Sequence, residues 1–228
     1  MSTTKRIVCL ANSRKLSGRC VAGKTMENST PGSWIRPVSD RQHEEVSYSE
    51  RQYQDGSDPS LLDIIDIPVL IARPKDYQRE NYLLDAAQYW EQAGKLAWDD
   101  LAQLVDDVPK LWSNGDSTYH GCNDRVELEL AKTFDYSLAF IHVDEISIRV
   151  FAPGLAFNNA KRRVQGEFSH NGVLYRLWVT DPIIEKRYLA GEDGEFSLGE
   201  AYLTISLGEP KGNECYKLVA AIITPDHI

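Results

Sequence analysis

The residues with the clearest chemical potential are basic and aromatic ones near the start of the chain: Arg14, Lys15, Arg19, Lys24, Trp34 and Arg36. Guanidinium and ammonium groups pair with phosphates, and an indole ring offers a face on which a base stacks. A groove that combines the two follows a nucleic-acid backbone without reading its sequence. The same set admits a structural account, with Trp34 in a core, Arg36 in a buried ion pair and the lysines solvated. A second cluster, Gln78, Glu80 and Asn81, carries the amide and carboxylate types that match a base edge. Asn81 also stands where it would cap a helix starting at Tyr82. A third, Lys161, Arg162 and Arg163, is a short basic run that either adds phosphate contacts or is simply solvated.

Other chemistries find little footing. His120 and Cys122 place two metal-ligand types close together, but no CxxC or HxxxH spacing accompanies them, so no metal and no cofactor are expected. Walker, GxSxG and HExxH motifs are lacking. Asp181, Glu185 and Lys186 match the residue types of a nuclease site, yet Asp181 precedes Pro182 and reads as a helix cap. The chain thus reads as a binding module rather than an enzyme.

Charge placement supports the first cluster. The net charge is -9, but residues 1–41 hold eight basic and two acidic side chains. Residues 42–135 carry -12 and residues 136–228 carry -3. Exposed charges more than about 8–10 Å apart are largely screened at physiological salt, so an acidic protein can present a basic face to a polyanion. The acidic middle would then face away or dock a protein partner. No run approaches the ~18 apolar residues of a membrane span. The run Ile7–Leu10 is too short for a signal-peptide core. The scattered Cys9, Cys20, Cys122 and Cys215 read as reduced and mostly buried, which points to the cytoplasm.

Stepping from these residues to the elements that hold them, the pattern is mainly β. Strands are expected at 5–10, 18–24, 34–38 and 61–72, the last broken at Pro68, and half-exposed alternation marks 126–130. Leu83, Leu84, Ala87 and Trp90, then Leu96, Leu101, Leu104 and Val108, follow helical spacing, which predicts a helical insertion at about 82–112. Further strands are expected at 138–143, 146–151, 162–168, 173–179, 201–207 and 216–224. Asn171-Gly172 signals a hairpin, and Asp181-Pro182 opens a short helix to about Leu189. The fold class expected is α+β, mainly β with that insertion, in two five-stranded barrels: residues 1–142, insertion included, and 143–228. A helix between the third and fourth strands of the second set is a common feature of five-stranded OB barrels.

The segments Ile7–Lys15, Gly18–Gly23, Trp34–Ser39, Gln78–Asn81, Ser206–Pro210 and Cys215–Ala221 resemble the prokaryotic dual OB-containing domain family, over nearly the whole chain. The resemblance implies two OB folds with a helical insertion and a nucleic-acid-related role in bacterial defence or genome-conflict loci. It brings no catalytic residues. OB folds hold nucleic acid on strands 2 and 3 and their flanking loops. Arg19, Lys24, Trp34 and Arg36 lie on those expected strands, with Arg14 and Lys15 on the loop before them. The function expected is binding of single-stranded or modified DNA or RNA. The alternatives are a non-catalytic subunit docking an enzymatic partner, and a nucleotide or modified-base sensor at Gln78–Asn81.

Overall fold

The computed structural model describes residues 2–27 and 30–225. By contact density the chain divides into two units: the chain to Val105 with Asp135–Ser137, and Asp106–Phe134 with the chain from Leu138 onward.

The first unit opens with β1 (Thr3–Lys15), β2 (Gly18–Glu27) and β3 (Thr30–Val38). A long connection carrying one helical turn, α1 (Tyr48–Arg51), leads to β4 (Asp63–Ala72), β5 (Asn81–Leu84) and β6 (Glu91–Lys95). β1 pairs antiparallel with β2 and with β4, β2 with β3, and β4 with β5, while β3 and β5 run parallel. These pairings close five strands into a ring, which removes the sheet's free edges. Ile7, Cys9, Val21, Ile35, Ile65, Ile67, Val69, Leu84 and Trp90 fill its interior, with Val46 and Tyr53 from the connection. Closure brings β2 hard against β1. A Cβ on Gly23 would lie 1.9 Å from the Val8 carbonyl oxygen, so only glycine fits.

The helical insertion expected at 82–112 is not formed. β5 pairs with the second half of β4 and β6 with the first half, so the two are pieces of one interrupted fifth strand. Asp85 turns the chain between them, its Oδ1 accepting from the Ala87 N–H at 3.2 Å. Trp90 enters the barrel core instead of a helix face. Only a 3-10 turn, Trp98–Leu104, is helical. β4 runs through Pro68 without a break: Pro68 sits opposite Thr4.

The second unit contains β7 (Arg125–Glu127), a helical turn α2 (Leu128–Ala131), β8 (Leu138–Phe151), β9 (Arg163–His170), β10 (Val173–Val179), α3 (Pro182–Leu189), β11 (Gly194–Leu207) and β12 (Glu214–Ile223). β8 is continuous through 142/143, where the sequence suggests a junction. Five strands again close a ring: β8–β9, β9–β10, β11–β12 and β11–β8 are antiparallel, and β10–β12 is parallel. The hairpin signal is realised with φ of 49° at Asn171 and 75° at Gly172. Asp181 caps α3, its Oδ1 accepting from the Ile183 N–H at 2.9 Å and its Oδ2 from the Ile222 N–H at 3.1 Å. α3 stands between the third and fourth barrel strands, as the strand pattern suggests.

Among the described residues no helix is long and apolar enough to cross a membrane, and no group of three or more His, Cys, Asp or Glu side chains is placed to hold a metal ion.

Candidate nucleic-acid interface

In an OB barrel the ligand face is the outer side of strands 2 and 3 with the adjoining loops. In the first unit that face is β2–β3. Lys24 and Trp34 are cross-strand neighbours on its outward side, next to Val8 of β1. The chain itself covers them. Lys24 is 5% exposed and donates to the Leu104 carbonyl at 2.7 Å, and the 3-10 turn of Leu101 and Leu104, both fully buried, packs against β3. Trp34 is half-buried, its ring centroid 5.5 Å from the Lys24 ammonium.

Arg36 is 4% exposed and closes a buried network with the second expected cluster. Its Nη2 lies 2.9 Å from Glu80 Oε1 and donates to Ser137 Oγ at 2.9 Å, while Nη1 donates to Asn81 Oδ1 at 3.3 Å. The Ser137 hydroxyl donates to the Glu80 carboxylate, and Asn81 Nδ2 donates to Gln78 Oε1 at 3.2 Å. Glu80 is therefore engaged by Arg36 and Ser137, and Asn81 links Gln78 to Arg36. Asn81 caps no helix, because it starts β5 alongside Arg36. The expectation of an exposed contact at Lys24 and Arg36, and of an open pocket at Gln78–Asn81, is corrected by this burial. Arg14 is exposed, and Lys15 and Arg19 are half-buried at the β1–β2 hairpin, where Arg14 sits directly opposite Arg19. The backbone of Arg19 is tied to Val46 by paired 2.9 Å hydrogen bonds.

The corresponding face of the second unit is half-buried and rich in rings. Along β10, Tyr175, Leu177 and Val179 point inward and are buried, so Arg176 and Trp178 point outward. Register places Phe151 opposite Arg163, Arg149 opposite Gln165, and Gln165 opposite Trp178, so these side chains share one face. Phe151 and Trp178 stack with centroids 5.8 Å apart. The Arg163 guanidinium lies 3.9 Å from the Trp178 ring centroid and that of Arg149 lies 4.4 Å from Phe151. Arg149 also approaches Glu195 at 3.4 Å, and Arg176 is engaged by Glu167. The row continues through His120, edge-on to Phe151 at 5.3 Å, to Tyr119 at 4.8 Å. His120 is held there by its backbone, whose carbonyl accepts from Gln165 Nε2 at 2.9 Å. Its Nε2 lies 3.1 Å from the Pro153 carbonyl oxygen, and Cys122 hydrogen-bonds elsewhere, to the Leu174 carbonyl.

The run Lys161–Arg163 divides three ways. Lys161 is exposed, Arg162 is tied to Asp193 at 2.6 Å and to the Leu189 carbonyl at 3.0 Å, and Arg163 joins the aromatic row. Phe151, Trp178, Arg149, Tyr119 and Phe157 are not among the residues that sequence reasoning singles out. A signal for two of them was present: Phe151 and Trp178 stand in the outward phase of strands whose inward phase is already filled by Ile148, Val150, Leu177 and Val179. The same barrel also holds a cation that is no surface contact. Lys217 is 1% exposed and donates to the Ser113 carbonyl. Burial pulls its pKa down to about 8, with Asp124 and Asp116 opposing.

Two closed rings of five strands, each with its third and fifth strands parallel, define a protein built of two OB folds, a nucleic-acid-binding type of fold. The chain belongs to the dual OB-containing domain family, whose profile matches residues 5–222. No curated protein and no solved structure matches the chain.

Proposed function

We propose that the chain is a non-catalytic module that binds single-stranded nucleic acid across the outer face of β8, β9 and β10. The observation that carries this reading is the pair of stacked rings, Phe151 and Trp178, each with a guanidinium against it. Bases stack on aromatic rings and on guanidinium planes alike, and arginine also reaches phosphates. The row lies on barrel strands 1 to 3 and beside the loop between strands 1 and 2, the surface OB folds use. The defence or genome-conflict setting and the cytoplasmic location belong to the same proposal. A nuclease or helicase encoded beside the gene supports that setting, and housekeeping neighbours count against it.

The test is fluorescence anisotropy with labelled single-stranded DNA and RNA over a salt series. Neutralising about three phosphates gives a log–log salt slope near -2. Trp178→Ala removes one stacking surface and weakens binding about 5- to 150-fold, the value of 1–3 kcal/mol per base. Absence of salt-sensitive binding by the wild type ends the proposal.

A further inference from the structure

Beside the row lies a cleft of about 1030 Å³ that the stacking platform does not explain, lined by Tyr119, His120, Pro153, Leu155, Ala156 and Phe157 among others. Its rim is unusually apolar for a surface. Tyr119 is 96% exposed, Phe157 87% and Leu155 65%. Apolar patches of this kind on a folded surface mark binding sites. The rim is also held in place. Leu155–Phe157 forms a 3-10 turn, and the Gly154 carbonyl accepts from the Phe157 N–H at 2.9 Å and from the Asn159 N–H at 3.0 Å. A Cβ on Gly154 would stand 2.8 Å from Asn159 Cβ, so the neck of the loop closes only with glycine there. Phe157 is thus presented to solvent on an ordered turn.

We propose that this cleft takes one unstacked base of the strand that crosses the platform, holding it by its face and apolar edge, and so favours pyrimidines that carry a C5-methyl group. This rests on the platform reading above. Continuity identifies the occupant: His120 lines the cleft and packs edge-on against Phe151 of the platform. Charge does the same: exposed Lys161 follows on the same loop, and Arg163, which opens β9 beside Trp178, links the cleft to the platform. The preference follows from the lining. It contains no side-chain amide or carboxylate, the groups that read a Watson–Crick or Hoogsteen edge, and His120 Nε2 is already at the Pro153 carbonyl. Apart from the Tyr119 hydroxyl, what remains is apolar contact, the means by which a thymine methyl is sensed.

The experiment compares oligo(dT) with oligo(dU) of equal length, which differ only in the C5-methyl groups, by competition anisotropy. Wild type is expected to bind oligo(dT) about fourfold more tightly, the worth of one buried methyl-sized group. The double variant Y119A/F157A removes the ring contacts to the base's face and to its methyl group alike, so it should weaken both oligomers and bring their ratio to one. These rim side chains are exposed, so its melting temperature should match wild type. Trp178→Ala should weaken both oligomers alike and leave the ratio intact. Equal wild-type affinities, or a ratio that survives in Y119A/F157A, overturn the cleft proposal and leave the platform standing. Failure of wild type to bind either oligomer removes both.

Discussion

Arg36→Met tests whether the first barrel's face is sealed. Arg36 and Glu80 are 4% and 6% exposed and 2.9 Å apart, and the guanidinium also serves Asn81 and Ser137. Methionine keeps much of the volume and removes the charge, which leaves the Glu80 carboxylate buried with the Ser137 hydroxyl as its remaining donor among these groups. Breaking a buried pair in this way costs about 3–5 kcal/mol. For a unit of this size that lowers the melting transition by at least about 12 °C. The double variant R36M/E80M should recover most of the loss, because the native pair is itself imperfect: Arg36 Nε is buried with no hydrogen-bond partner among the described residues. The measurements are thermal and urea unfolding of wild type, both single variants and the double, closed as a cycle. Single-strand binding is measured on the same samples. The reasoning fails if Arg36→Met costs less than about 1 kcal/mol, or if the double variant is no better than the sum of the singles. It also fails if Arg36→Met leaves stability alone and reduces the salt slope of binding by about 0.7, the signature of one lost phosphate contact.

Two further outcomes follow from buried positions. Lys217 has its pKa drawn from 10.5 down to about 8 by burial, so below pH 8 its charge is carried into the barrel at full cost. Between pH 8 and 10.5 the unfolded chain holds more protons than the folded one, so this residue's contribution to stability rises with pH, by on the order of 3 kcal/mol. Lys217→Met should remove that rise when its unfolding free energy is compared with wild type across the interval, and parallel pH profiles would refute the assignment. Gly23→Ala forces a Cβ to within 1.9 Å of the Val8 carbonyl oxygen, a backbone clash that no rotamer relieves. Its cost should exceed about 3 kcal/mol and fall on the first unit's unfolding transition, whereas tolerance within about 1 kcal/mol would mean that β1 and β2 cross less closely.

How far the sequence spoke for itself differed between the units. In the second, local chemistry and fold agree. Asn171-Gly172 adopts the positive φ pair a two-residue hairpin needs, Asp181 caps α3, and β10 alternates cleanly. In the first, the fifth strand is only four residues before it is interrupted, too short to show a period of two. Leu83, Leu84, Ala87 and Trp90 happen to repeat at helical spacing because a turn at Asp85 separates strand residues from a core tryptophan. Tertiary pairing with β4 then outweighs the helical preference of alanine and leucine. For the candidate site, charge placement was visible but burial was not. Lys24 and Arg36 do lie on the outward side of β2 and β3, yet their partners Leu104 and Ser137 stand 80 and 101 residues further along. No local pattern carries a contact of that range.

The two barrels therefore share a topology and differ in what becomes of the same face. In the first, outward positions hold Val8, Lys24 and Arg36, groups that need cover, and Leu101, Leu104 and Ser137 supply it. The cations there are consumed by internal acceptors, so the basic N-terminal segment contributes to the fold as much as to any ligand. In the second, the outward positions hold aromatic rings paired with arginines. A buried indole N–H needs a protein partner, whereas one that reaches solvent is satisfied by water. Phe151 stacks on Trp178, with Arg149 and Arg163 against the rings, which orders a half-buried surface of rings and guanidinium planes. A face ordered in advance loses less freedom when a flexible strand settles on it. Of two faces of like topology, the second is the one to which the proposed binding is assigned, because its rings and arginines are ordered in advance.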